Sequence, residues 1–210
     1  MKGLILKDLY MTVKYCKVNI IIALICILLS LGLGLSNGLF IAFYAVFLCD
    51  VIPSSLLAYD EKSRWVQYSE TMPYTRAQIV SEKYVIELII HVAILILIGT
   101  AHAVALIIGY TFDFASFAVF MMLISTMPLI SSVIVLPFMF KYGTEKGRLV
   151  HLIMVVVVVM AGNLTSKMIN NDVPEGVELL STILATCIIC LALFALSWYL
   201  SIVFYKNREL

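Results

Sequence analysis

The chain has 210 residues, of which 63% are hydrophobic and only 13% are charged. A soluble domain usually has about 45–50% apolar and about 25% charged residues, so this composition excludes an ordinary water-soluble protein and indicates a lipid environment. The net charge of +1 argues neither for nor against nucleic acid, and we expect no nucleic-acid partner.

The first 17 residues form a lysine-containing segment that precedes the first apolar run. Their basic and apolar side chains fall on opposite faces of a helix, which predicts an interfacial helix over residues 1–17. A frayed polar leader is the alternative. Because the charged region is long and further apolar runs follow, we expect a retained first span rather than a cleaved signal peptide.

Six apolar segments meet or approach the roughly 20 residues that a helix needs to cross a bilayer. They are Val18–Leu35, Gly38–Ala58, Val85–Tyr110, Ala115–Phe140, Leu149–Leu164 and Leu179–Tyr205. The fifth is rich in valine, but a lone strand in lipid leaves its backbone unpaired, so helix is favoured. The sequence thus predicts an all-α integral membrane protein with six transmembrane helices in a single domain, residues 1–210. The first two spans are joined by a tight turn at Ser36 and Asn37.

The basic residues predict the orientation of these spans. Of the 14 Lys and Arg residues, all except Lys167 fall at the termini, in the loop after span two or in the loop after span four. The positive-inside rule places this side in the cytoplasm. We therefore expect a plasma-membrane protein with both termini and the loop 60–84 inside the cell, and an extracellular loop at residues 165–178.

Asp50, Glu87 and His91 are ionisable residues within the predicted spans, where such groups are costly and often functional. Asp50 and His91 lie at similar depths, roughly two turns from the cytoplasmic ends of spans two and three. We hypothesise that they pair, with Lys83, Glu87 and His91 forming a ladder at four-residue spacing. The alternative is that each side chain snorkels or binds a backbone carbonyl separately.

Motifs for catalysis are absent from the sequence. It has no phosphate-binding loop, no His-Glu-x-x-His motif and no Gly-x-Ser-x-Gly motif. We therefore predict no catalytic residue, no metal site and no cofactor in this chain. If the protein performs work, the energy must come from another subunit.

The most polar stretch, Asp60–Tyr84, holds eight of the 27 charged residues. Its Trp-x-x-Tyr pattern followed by "TMPYTRAQIVSEKY" resembles the loop after span two in ABC-2-type transporter permeases. The opening "MKGLILKDLY" also resembles that family, in which an elbow helix carries a Lys-Asp pair, here Lys7 and Asp8. Within that family the chain resembles the small permeases of Gram-positive peptide exporters, including those similar to the phenol-soluble modulin exporters. The matching loop residues are Trp65, Tyr68, Met72, Pro73, Thr75, Arg76, Ile79, Val80, Lys83 and Tyr84.

The resemblance implies a permease subunit that pairs with a second permease, identical or related. A separate ABC ATPase, which carries ATP and Mg²⁺, would engage a coupling helix in the loop 60–84. The implied substrates are amphipathic peptides or lipid-like molecules, exported by alternating access. The implied ATPase-docking residues are Glu61, Trp65, Tyr68, Ser69, Glu70, Pro73, Tyr74 and Arg76.

The residues of this loop support a docking role independently. Trp65 and Tyr68 share one helical face, and aromatic anchors are common in protein interfaces. We predict a docking helix over Asp60–Thr71, a break at Pro73, and a new helix capped by Thr75 with Gln78 as its capping-box partner. A solvated loop with interfacial aromatics is the alternative.

Two other functions remain open from the sequence. One is a non-transporting membrane protein, such as a bacteriocin-immunity or sensor component. The other is a small intramembrane enzyme that uses Asp50, Glu87 or His91.

Overall fold

The chain is almost entirely helical. A computed structural model describes residues 2–69, 71–109, 114–154, 156 and 177–207, and regular structure within these ranges is helix alone. The prediction of an all-helical protein is confirmed. The helices are α1 (Lys2–Tyr15), α2 (Lys17–Lys62), α3 (Trp65–Ser69), α4 (Arg76–Ile108), α5 (Phe114–Tyr142), α6 (residues 144–154) and α7 (Val177–Lys206).

Several of these helices are long and apolar enough to cross a membrane. Within the described residues there are four such segments, and five if α1 and the start of α2, which meet at 70°, count as one bent span. The protein is therefore a multi-pass membrane protein. The predicted fifth span, Leu149–Leu164, lies mostly outside the described residues, as does most of the loop 165–178, so the count of six stays a prediction. The four segments are Ile41–Lys62, Arg76–Ile108, Phe117–Tyr142 and Ser181–Lys206.

Helix α2 reverses its direction within its length. As a straight helix its 46 residues would extend roughly 70 Å, yet its two ends lie side by side. Tyr15, just before α2, stacks on Tyr59 near its end, with the ring centroids 4.7 Å apart. A side chain added at Gly38 would collide with the backbone carbonyl oxygen of Ser30. The chain therefore turns back between Ser30 and Gly38, in the region where the sequence predicts a tight turn.

This reversal gives α2 two antiparallel arms, Lys17–Gly32 and Ile41–Lys62. Buried residues of both arms pack with α4 and α5 in one core cluster, and α4, α5 and α7 form a second cluster closer to the lysine- and arginine-rich end. Many leucine, isoleucine and valine side chains on the first arm and on α7 remain exposed on the outside of the bundle. Such a surface suits contact with lipid acyl chains rather than water.

The buried Tyr84 fixes the start of α4 against α7. Its hydroxyl oxygen lies 2.7 Å from Oγ of Ser197 and 2.7 Å from Oγ of Ser201. Its ring stacks on Trp198 with an interplanar angle of 5°, and the Trp198 indole donates a hydrogen bond to Ser81. Because Tyr84 is held in this way, the preceding residues of α4 have a fixed direction relative to the rest of the bundle.

The predicted capping box at the start of α4 is confirmed. The backbone N–H of Gln78 donates to Oγ1 of Thr75, and the backbone N–H of Thr75 donates to Oε1 of Gln78. These two bonds satisfy backbone donors that a helix leaves free at its first turn. They set Arg76 as the first residue of α4.

Candidate functional site: a charged junction beside helix α3

Five ionisable side chains from three helices meet where α2 ends and α4 begins. We call them the charged junction: Lys7 and Asp8 of α1, Asp60 of α2, and Glu82 and Lys83 of α4. Asp8 is 0% exposed, and Glu82 and Lys83 are each 1% exposed. Charged residues are almost never this buried unless they are paired, so their mutual contacts determine how α1, α2 and α4 are held together.

Lys83 is the centre of the junction. Its ammonium nitrogen lies 2.5 Å from Oδ2 of Asp8 and 2.6 Å from Oδ2 of Asp60. One ammonium group thus joins α4 to α1 and to the end of α2 simultaneously. Charge-assisted hydrogen bonds of this kind are about twice as strong as neutral ones, and burial protects them from screening by salt.

Lys7 closes the junction from its more exposed side. Its ammonium nitrogen lies 3.1 Å and 3.2 Å from the two carboxylate oxygens of Asp60, and 3.0 Å from Oδ1 of Asp8. It also lies 4.5 Å from the centre of the Trp65 ring, in a cation–π contact. Lys7 therefore connects the buried ion pairs to α3.

Two opposing effects act on the pKa of Asp8. Burial raises this pKa, but the nearby ammonium groups of Lys83 and Lys7 outweigh burial and hold it below its ordinary value of 3.8. A carboxyl group with a lowered pKa in the folded state stabilises the fold above its ordinary pKa. The contribution of Asp8 is therefore complete at neutral pH and is lost as the pH falls through its lowered value.

Helix α3 is shorter than the sequence predicts. The expected docking helix, Asp60–Thr71, is divided, because Asp60 to Lys62 complete α2 and α3 has only five residues, Trp65–Ser69. The break follows from Arg64, which adopts a left-handed backbone conformation with φ of 54° that no right-handed helix accommodates. The exposed Pro73 lies in a turn between α3 and α4, in agreement with the predicted break.

The predicted docking residues on and after α3 differ in exposure. Tyr68 is 55% exposed and its ring packs against Trp65, with centroids 5.5 Å apart. Ser69 is buried, while Tyr74 is half-buried next to α1. Glu70 lies outside the described residues. Tyr68 and Pro73 are therefore the predicted docking side chains that face outward on this part of the chain.

Two further predicted docking residues bind other helices of this chain. The Glu61 carboxylate accepts hydrogen bonds from the backbone N–H and the hydroxyl of Thr144, at 3.0 Å and 2.5 Å, at the start of α6. The Arg76 guanidinium donates to the backbone carbonyl of Lys206 at the end of α7. Each charge complements the partial charge of the helix terminus that it meets. Both residues thus connect the segment around α3 to the helices beside it.

The family comparison covers nearly the whole chain. Residues 3–206 match the model of a family described as ABC-2 family transporter protein. The chain belongs to the ABC-2 transporter family. No curated protein and no solved structure matches it.

Membership in the ABC-2 family makes this chain the permease component of an ABC transporter. Proteins of this class form the membrane part of the transporter and normally work with a separate ABC ATPase. The charged junction and α3 lie at the end of the ABC-2 permease that has most of its basic residues. At this end the junction joins α1 and the start of α4 to the segment that carries α3.

The intramembrane residues of the permease are arranged differently from the prediction. Asp50, Glu87 and His91 are all buried. Neither ring nitrogen of His91 and neither carboxylate oxygen of Asp50 has a hydrogen-bond partner among the described residues, so the predicted Asp50–His91 hydrogen bond is wrong. Instead, Asp50 lies beside Glu87 and Ser132. The difference follows from helix packing, because α5 brings the Ser132 hydroxyl to this depth. The prediction considered spans two and three alone.

The predicted ladder of Lys83, Glu87 and His91 is also wrong. The Lys83 ammonium group turns to Asp8 and Asp60, while Glu87 accepts a hydrogen bond of 2.7 Å from the Ser132 hydroxyl. Two aspartate carboxylates, with oxygens 2.5 Å and 2.6 Å from the Lys83 nitrogen, attract the ammonium group more strongly than the single carboxylate of Glu87 one turn away. Across the described ranges, no three His, Cys, Asp or Glu side chains are placed to hold a metal ion.

The sequence analysis did not predict that the five side chains of the charged junction meet. It singled out Lys7 and Asp8 through the family resemblance but assigned no role to Asp60 or Glu82. A usable signal was present, because three separate segments each place charged residues next to an apolar run. Charges at the same membrane boundary on neighbouring helices are candidates for pairing, since an unpaired charge there is costly.

Proposed function

We propose that this chain is the permease subunit of an ATP-driven exporter that moves amphipathic peptides or lipid-like molecules out of the cell. In this proposal α1 is an elbow helix, α3 is the coupling helix, and a separate ABC ATPase with bound ATP and Mg²⁺ docks against α3. Movement of α3 on ATP binding switches the access of the permease from one side of the membrane to the other.

The observation that carries this proposal is the contact of Trp65 with the charged junction. Trp65 touches Lys7, and Lys7 binds Asp60 and Asp8, both of which Lys83 also binds. A force applied to α3 therefore reaches the elbow helix, the end of α2 and the start of α4 through a few short contacts. A loop that merely lies in the headgroup region has no need of such a connection.

The orientation and assembly in the proposal follow from charge and family resemblance. All the basic residues except Lys167 lie in segments that we assign to one side, which the positive-inside rule makes cytoplasmic. Both termini then lie in the cytoplasm with α3, within reach of an ATPase. Six spans per subunit and a pair of subunits, identical or related, complete the transporter.

The apolar character of the helices supports the proposed substrate class. Their mean hydropathies range from 1.9 to 2.3 over three of the candidate spans and reach 2.4 in the last. Surfaces this apolar suit a substrate with a large apolar face better than a small ion, whose hydration shell they cannot replace. An amphipathic peptide or a lipid meets this requirement.

The exposed Tyr68 provides a first test of the proposal. We expect Tyr68→Ala to weaken the affinity for the ATPase roughly five- to thirtyfold, because truncating an aromatic anchor in an interface costs about 1–2 kcal/mol. The measurement is ATP hydrolysis by the partner ATPase, titrated with permease reconstituted in lipid nanodiscs.

The matched control is Tyr10→Ala, because Tyr10 is also an exposed tyrosine but lies on α1. It is expected to leave the affinity unchanged. The docking proposal fails if Tyr68→Ala and Tyr10→Ala stimulate ATP hydrolysis as well as the unchanged permease. A chain that neither co-purifies with an ATPase nor stimulates one would instead indicate an immunity or sensor protein, or an intramembrane enzyme.

A further inference from the structure

Two carboxyl groups from different helices lie together inside the bundle. Asp50, on the second arm of α2, is 6% exposed, and Glu87, on α4, is 1% exposed. The Asp50 carboxyl group lies next to both Glu87 and Ser132. The Ser132 hydroxyl donates its hydrogen to Oε1 of Glu87 at 2.7 Å. Both oxygens of Asp50 are left without a donor among the described residues.

In the part of the chain that the structure describes, the groups near this pair supply no positive charge to it. On α4, Lys83 lies one turn before Glu87, but its ammonium group is bound by Asp8 and Asp60. His91 lies one turn after Glu87, and within the described residues its ring is hydrogen-bonded to neither carboxyl group of the pair.

Among the described residues, the other titratable groups near the pair are uncharged at neutral pH at their ordinary pKa values. They are the thiol of Cys49 on α2 and the phenol of Tyr84 on α4. The α5 group in contact with the pair is the hydroxyl of Ser132, which carries no charge. If both carboxyl groups were ionised, the site would hold two adjacent negative charges in a medium of low dielectric constant.

Such an arrangement requires a bound cation. Two carboxylates that share a site cannot both ionise, and in aspartic-protease-like pairs one proton is held between them. A metal ion is disfavoured, because no set of three suitable ligands is found in the described part of the chain. A proton needs only two oxygens in contact, and it also supplies the donor that Asp50 lacks.

We propose that Asp50 and Glu87 form an intramembrane proton-binding site, in which one proton is shared between the two carboxyl groups at neutral pH. The pair then carries a single negative charge, and the Ser132 hydroxyl donates to the Glu87 side of it. This proposal concerns the permease chain alone and does not depend on the ATPase or on the exported substrate.

Infrared spectroscopy of the permease in nanodiscs tests this site directly. A protonated carboxyl group has a carbonyl stretching band that a carboxylate lacks, and we expect the pair to give one such band at pH 7, where exposed Asp and Glu residues are ionised. The buried Glu82 carboxyl group is a second source of such a band, which Glu82→Gln identifies. In Asp50→Asn and in Glu87→Gln the amide group donates in place of the proton, so we expect each variant to fold and to lose the band of the pair. Glu145→Gln, which changes an exposed carboxyl group, is expected to retain it.

Two results would overturn the proposal. One is the absence of a protonated-carboxyl band in the folded permease at pH 7. The other is a spectrum from which neither Asp50→Asn nor Glu87→Gln removes a protonated-carboxyl band. Because the sample contains neither ATPase nor substrate, either failure leaves the proposed transport function untouched, and the Tyr68 experiment in turn leaves the proton site untouched.

Discussion

Lys83→Met is expected to destabilise the permease by about 3–5 kcal/mol, which is the usual cost of removing one partner of a buried ion pair. The substitution keeps the length and the apolar stem of the side chain but removes the ammonium group. Asp8 and Asp60 then remain buried without their central counter-charge. The measurement is the melting temperature of the purified permease in detergent, together with the yield of monodisperse protein.

Lys62→Met is the matched control, because Lys62 is an exposed lysine near the same end of the bundle. It is expected to melt within a few degrees of the unchanged permease. If Lys83→Met fails to fold, the triple variant with Asp8→Asn and Asp60→Asn distinguishes charge from packing. Neutralising both aspartates is expected to restore part of the yield. Equal melting temperatures for Lys83→Met and Lys62→Met would contradict a stabilising role for the junction.

Trp65→Ala is expected to weaken functional coupling to the ATPase roughly a hundredfold. The change removes the ring that Lys7 contacts, and because the Lys7 side chain is 22% exposed, this cation–π contact contributes about 1 kcal/mol. It also removes a proposed interface anchor, whose truncation costs about 2 kcal/mol. The total of about 3 kcal/mol corresponds to roughly a hundredfold change. The measurement is permease-stimulated ATP hydrolysis as a function of permease concentration.

Trp65→Phe separates the contact with Lys7 from the general loss of bulk. Phenylalanine retains an aromatic face for the Lys7 ammonium group, so this variant is expected to keep most of the coupling. The melting temperature of Trp65→Ala is expected to fall less than that of Lys83→Met, because the ion pairs of Lys83 with Asp8 and Asp60 remain. Unchanged stimulation by Trp65→Ala would contradict the proposed path from α3 to the junction.

Local features of the fold were predictable from the sequence. The capping box of Thr75 and Gln78 depends only on residues three apart, and the contact of Trp65 with Tyr68 depends on one helical turn. The break at Pro73 likewise follows from a property of proline itself. In each case the interacting groups are close in the chain, so their geometry is set by the helix and needs no knowledge of which helices are neighbours.

The polar contacts between helices were not predictable in the same way. Lys83 binds Asp8, 75 residues away, and Ser132 binds Glu87, 45 residues away. Sequence spacing placed Glu87 and His91 correctly on one face of α4, but it could not show that α5 brings a hydroxyl group to that face. The partner of a buried polar group is chosen by the packing of several helices at once, and so the pairing of Asp50 was assigned wrongly.

The central claim is that α3 is the surface to which the ATPase docks. The most direct test replaces Tyr68 with the photo-reactive residue p-benzoylphenylalanine and illuminates the assembled transporter. The account predicts covalent crosslinks from position 68 to the ATPase subunit, and none from the same residue placed at Tyr199, which is exposed on α7. Crosslinks from position 68 only to lipid or to the permease itself, in a complex that hydrolyses ATP, would contradict it.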